Sequence, residues 1–375
     1  MTKQDLQYTI LNQPYKLDKW QEVLKRVFGA TKLHQIPQPI SITANDIAES
    51  ASELGSFYTK DEMLVGIYQI IIKEDTTTDI TKSKVGLRNL LRNVYKYDVD
   101  GALIVFVQGN KWRFSYVSEI RNRDGEIVTE PKKYTYLFGE NEVCRTAADR
   151  FSKLIDKKYY LQDLYDAFSV EKLNKEFFSK YIEFYKKGVK HIVDNKEYYN
   201  ILIDNKETEE DKRQKPIRDF VKKLLGRIVF LHFLQKKEWL GCPVYKSKKE
   251  NDEIWIEGSK TFILDLFKQF PDKDKFHSQC LSILFFETLN EKRDGNIFPL
   301  AFNNQQVRIP YLNGGLFDTD FKDPKTNQPL EKSIDFPVDY FQSLLDFFEQ
   351  YNFTIDENDP YETEVGIDPE MLGHI

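Results

Sequence analysis

Apolar residues change their spacing near residue 142, from alternating or unbroken runs to intervals of three and four. In KLDKWQEVLKRVF (16–28), Leu17, Trp20, Val23, Leu24 and Val27 share one face of a predicted helix that Gly29 ends. The following HQIPQPISIT is extended and broken by prolines. Asn45 is placed to cap a short helix, DIAESASEL, which stops at Gly55. A β pattern comes next. Leu54 to Thr59 reads as a strand, Lys60-Asp61-Glu62 as a turn, and Met63 to Lys73 as a long apolar strand. A helix is predicted in KVGLRNLLRNVYKY, then an apolar strand, ALIVFVQ (102–108). Gly109-Asn110 turns the chain into KWRFSYVSEI (111–120), and KKYTYLF (132–138) is one more strand.

From Glu142 the period is helical in CRTAADRFSKLI, LQDLYDAF, VEKLNKEFFSKYIEFYKKGVKHIV and IRDFVKKLLGRIVFLHFLQKKEWL. TFILDLFKQF, SQCLSILFFETLN and VDYFQSLLDFFEQY continue it, around a turn-rich stretch at 294–337. The pattern predicts a mixed α/β domain over residues 1–150 and an α-helical domain over 151–375. Asp368-Pro369 opens a helix that ends within two turns, so the sequence reads as a fragment of a longer protein.

Composition narrows the class. Among 375 residues, 28 Phe and 21 Tyr exclude a wholly disordered chain. No signal peptide opens the sequence and no 18-residue apolar window occurs, so a cytoplasmic protein off the membrane is expected. Three dispersed cysteines fit reduced thiols. The net charge of −6 hides an asymmetry: +1 over 1–150, +4 over 151–300 and −11 over 301–375. Contact with phosphates therefore belongs to the first 300 residues. There is no Gly-rich phosphate loop, GxSxG elbow or HExxH, and His277-x-x-Cys280 with Cys242 makes a poor zinc set.

The predicted helix–strand–strand–helix–strand order of residues 45–108 is similar to the core of PD-(D/E)XK nucleases. That chemistry needs an Asp and a Glu-x-Lys, two carboxylates for Mg²⁺ and a lysine near the attacking water. Asp61 stands at the hairpin turn, and Gln69, Ile71 and Lys73 share one face of the next strand. With Gln69 in the Glu position, the lysine position holds Ile71. Gln69 and Lys73 are roughly 13 Å apart along a strand. Glu49 and Glu53 are further carboxylates nearby. A basic group, Lys82, Lys84, Arg88 and Arg92 with Lys111, Trp112 and Arg113, is the candidate DNA contact; Arg88 and Arg92 lie one helical turn apart.

Six ordered stretches carry a wider resemblance: residues 85–119, 131–151, 161–181, GRIVFLHFLQKKEWLG (226–241), YLNGGLFD (311–318) and IDPEMLGHI (367–375). Together they resemble the N-terminal half of Type IIG (Eco57I-like) restriction–modification enzymes, single chains joining an endonuclease to an adenine-N6 DNA methyltransferase. Type ISP enzymes and the methyltransferases of BREX phage-exclusion systems are related. The resemblance implies a PD-(D/E)XK nuclease-like domain, a helical connector and double-stranded DNA as substrate, in defence against phage. Methyltransferase and target-recognition domains would follow beyond residue 375, and S-adenosylmethionine would bind there and not here. It implies Mg²⁺ on Asp61 and Gln69, with Lys73 stabilising developing charge, and Arg88, Arg92, Lys111 and Arg113 on DNA. The alternative is a degenerate nuclease fold that senses DNA or docks a protein without cutting.

Overall fold

The computed structural model describes residues 1–41, 47–74, 80, 99–118, 132–203, 205–244, 255, 257–312, 314–319, 321–323, 325–353 and 362–367. The chain forms two compact units, the first built on Met1–Asn174 and the second on Lys175–Glu349. Residues 350–352 and 362–367 belong to the first.

In the first unit a helix, α1 (Leu17–Arg26), precedes three antiparallel strands, β1 (Lys32–Pro39), β2 (Ala48–Tyr58) and β3 (Leu64–Ile72). β4 (Gly101–Gln108) lies parallel to β3, and β5 (Lys111–Ser118) and β6 (Lys132–Gly139) add antiparallel neighbours. A three-residue strand, β7 (Glu362–Glu364), pairs parallel with β6. Strand order in space follows order in sequence throughout. The helix expected in KVGLRNLLRNVYKY lies outside the described residues.

β2 corrects the expected helix DIAESASEL. Its buried residues Ala48, Ala51 and Leu54 recur every third position, which mimics a helix face. The cause is irregular pairing with β3: register shifts between Ala48 and Ser50 and between Glu53 and Gly55 each break the alternation of two. Gly55 takes φ +145°, and a Cβ there would come within 2.1 Å of the Lys32 carbonyl oxygen. β1, the stretch read as extended and proline-broken, is the sheet's outer strand. Pro37 and Pro39 suit that edge, where missing N–H donors cost no ladder bond.

Each face of the sheet buries a different core. Tyr68, Ile70, Ala102, Ile104, Phe106 and Val117 form one face with Ala48, Ala51 and Ile80. The opposite face is aromatic. Phe114 of β5 meets Trp20 of α1 at 4.6 Å, Phe151 of α2 (Arg145–Ser152) at 5.8 Å and Phe168 of α3 (Leu161–Phe168) at 5.4 Å. This is why the first unit ends at Asn174 and not near residue 150: α2 and α3 supply the rings that cover the sheet.

The second unit is helical, as the periodicity predicts. α4 (Val170–Asp194) carries the chain into it, α5 (Lys215–Lys236) is buried on nearly every side, and α6 (Phe262–Gln269) and α7 (Val338–Phe348) pack with them. Phe177 and Phe184 of α4 stack on Phe347 of α7 at 5.2 and 5.3 Å. SQCLSILFFETLN is helical but widened into π turns at His277–Leu281 and Ile283–Leu289. Among the described residues, no helix is long and apolar enough to cross a membrane.

Candidate functional site

Asp61 sits in the turn between β2 and β3, which Thr59 closes through its backbone N–H to the Met63 carbonyl at 3.0 Å. The Asp61 carboxylate faces back over that turn. Its Oδ1 accepts the Thr59 hydroxyl at 2.6 Å and the Leu161 backbone N–H at 3.0 Å. Leu161 is the first residue of α3, so Asp61 caps that helix from a distant point in the chain. Partial desolvation opposes ionisation, but the Thr59 and Leu161 hydrogen bonds outweigh it and hold the Asp61 carboxyl below its ordinary range.

Gln69 is five residues along β3 from Leu64, roughly 17 Å at about 3.3 Å per residue. It pairs with Ser52 on β2 and Val105 on β4 and points to the aromatic face, where its Oε1 accepts the Tyr15 hydroxyl at 2.6 Å. Burial pushes the Tyr15 phenol well above its ordinary pKa, so it remains a donor. Lys73 lies just past the far end of β3, about 30 Å from Leu64 at about 3.3 Å per residue. Its backbone N–H donates to the Ile47 carbonyl, and its own carbonyl accepts the Gln108 side chain.

The structure therefore does not bring the expected metal ligands together. Asp61 and Gln69 stand at separated points on the hairpin, each oxygen engaged by a different partner. Gln69 faces the aromatic side of β3, Lys73 lies beyond the strand, and the strand's length parts Asp61 from both. With Gln69 and Ile71 in the positions expected to hold Glu and Lys, and Asp61 engaged elsewhere, this donor set does not fit Mg²⁺. Among the described residues, no group of three or more His, Cys, Asp or Glu side chains is placed to hold a metal. Glu49 and Glu53 are on β2, not on a helix, and Glu53 lies 3.6 Å from the His34 ring.

The basic group is also dispersed. Arg113 alternates into the sheet face opposite Gln69 and is fully buried, with Nε donating to the Ile80 carbonyl. A buried guanidinium cannot meet a phosphate, so Arg113 is withdrawn as a DNA contact. Lys111 is partly exposed but pairs with Glu142 at 2.7 Å. Trp112 is core, packed on Phe138 at 4.7 Å. Arg88 and Arg92 lie outside the described residues.

Sequence reasoning missed the cavity beside Tyr15, about 540 Å³ in volume. It lies between the wide helix Asp5–Leu11, the start of α1 and the β5 end that carries Trp112. The available signal was aromatic density: Tyr8, Tyr15 and Trp20 fall within thirteen residues of proline-interrupted sequence.

No family model and no solved structure matches the chain. One similarity is to a protein of Methanocaldococcus jannaschii named "Putative type II restriction enzyme and methyltransferase RM.MjaORFECS2P", 25% identical over 268 residues. The alignment takes in 67% of this chain and 20% of that protein, so the chain spans about a fifth of its relative's length. Across 67% of its length, the chain is similar to a protein named as both a restriction enzyme and a methyltransferase.

Proposed function

We propose that this chain is the N-terminal nuclease-like and connector region of a restriction–modification protein with Type IIG-like organisation. In this reading the sheet domain engages DNA without cutting it through Asp61, Gln69 and Lys73. The similarity to a protein named as restriction enzyme and methyltransferase supports the system. The observation that favours a non-cutting role is Asp61, whose carboxylate closes on the Leu161 amide instead of facing Gln69. Methylation, S-adenosylmethionine and target recognition belong to other domains of the parent, and this region takes neither that cofactor nor Mg²⁺ at the expected residues.

The test uses the 375-residue chain with unmethylated duplex. Fluorescence anisotropy should show binding that weakens as salt rises, the mark of phosphate contacts. Supercoiled plasmid with Mg²⁺ should stay intact, and Asp61→Ala should bind as wild type does. Nicking by the wild type that disappears in Asp61→Ala would restore the cutting role. Absence of duplex binding at every salt concentration would remove the DNA reading.

A further inference from the structure

We propose that the cavity beside Tyr15 binds a single nucleotide, its base held by the aromatic lining and its phosphate by Lys16 and Lys19. Its volume, about 540 Å³, falls within the range of sites that hold small ligands. The proposal goes beyond the DNA-contact reading and depends on it only for where the nucleotide comes from.

The lining supplies each part of the recognition. Tyr15 and Trp112 meet edge to face at 5.5 Å, and Trp112 meets Trp20 at 5.1 Å, so the aromatic floor is braced before any ligand arrives. Tyr8 lies on the rim with 61% of its surface exposed, a free ring against which a base can stack. The two indole donors differ. Trp112 Nε1 donates to the Gln13 carbonyl at 3.0 Å, whereas Trp20 Nε1, on a side chain 1% exposed, has no acceptor among the described residues and is closed off from the cavity.

The charged groups fit the other half of a nucleotide. Lys16 and Lys19 are exposed, line the same cavity and make no ion pair among the described residues. Lys16 is also the N-cap of α1 and provides no side-chain acceptor, so the first-turn amides remain open to an anion. Glu140, the one acid in the lining, can accept an exocyclic amino group.

The experiment titrates the 375-residue chain with deoxyadenosine 5′-monophosphate, with single-stranded deoxyadenylate oligonucleotides and with duplex DNA, by calorimetry and tryptophan fluorescence. Saturable binding of the mononucleotide or the single strand is expected. The mononucleotide alone points to a free nucleotide as the source, and tighter binding of the strand points to an unstacked nucleotide within DNA. Lys16→Glu with Lys19→Glu should weaken binding at least tenfold and lower the salt slope for single strands by about 0.7, one phosphate's worth. Tyr8→Ala, at an exposed position, should weaken it severalfold through loss of the stacking ring. No saturable binding of mononucleotide or single strand, or wild-type affinity in the double lysine variant with an unchanged melting curve, would overturn the proposal. Duplex binding that survives either result leaves the DNA-contact reading standing and removes only the cavity.

Discussion

Replacing Asp61 with alanine separates a structural carboxylate from a catalytic one. The side chain links the β2–β3 turn to the start of α3 through two hydrogen bonds, at 2.6 Å to Thr59 and 3.0 Å to Leu161. Loss of a helix-capping acceptor costs about 1 kcal/mol, and freeing the turn hydroxyl brings the total to about 1–2 kcal/mol. In a unit of this size that lowers the melting temperature by roughly 3–6 °C. Asn at the same position keeps an acceptor and should cost only a few tenths of a kcal/mol. The sign with pH follows from the depressed carboxyl. Stability due to ionised Asp61 is present above the unfolded pKa, near 4, and is lost as pH falls through the folded value. The gap between wild type and Asp61→Ala should therefore be full at pH 7 and shrink below about pH 4. Differential scanning calorimetry gives the magnitude, and hydrogen exchange at the Leu161 amide gives the location. An alanine variant with unchanged melting and unchanged Leu161 protection would refute the capping argument.

Other residues give equally direct tests. Burial raises Glu349 to about 7 and lowers His232 to about 3, with Gln235 hydrogen-bonded to both. Neutral Glu349 favours the fold below about pH 4.5 and that stability is lost toward pH 7, whereas neutral His232 favours it above about 6.5 and loses it toward pH 3. Glu349→Gln should remove the first slope alone, stabilising the second unit by about 2 kcal/mol at pH 8 in urea titrations. Arg227 is fully buried, 3.9 Å from Glu331, and donates to the Leu316 and Asp318 carbonyls at 2.9 and 2.8 Å. Arg227→Leu should cost about 3–5 kcal/mol in the same assay, with less lost when Glu331 is also made apolar. Gly55→Ala sets a methyl against the Lys32 backbone in a strained conformation. A loss of about 2 kcal/mol, with amide protection falling first in β1, is expected.

Strands with unbroken apolar character were legible almost to the residue, since β3 through β6 need only hydrophobic runs ended by turn pairs such as Gly109-Asn110. The long helices were legible for the complementary reason, a sustained period near 3.6. β2 was not, because its irregular pairing spaces Ala48, Ala51 and Leu54 as a helix would. At the candidate site, residue type was readable and reach was not. Alternation placed Gln69 on one face of β3, but nothing local says that Asp61 has a partner a hundred residues away at Leu161. The burial of Arg113 was available from alternation with Trp112, yet a cluster of basic letters reads as surface until the sheet is known to be covered on both faces. The cavity depends on Tyr15 reaching across to Gln69, a contact between elements that no periodicity records.

Residues 350–352 and 362–367 return to the first unit while Phe353 groups with the second, so neither unit is one continuous segment. Thr146 binds the Gln350 carbonyl at 2.8 Å, and β7 completes the sheet beside β6. A single protease nick between Asn174 and Gln350 would therefore leave two fragments that both hold part of the first unit and elute together under native conditions.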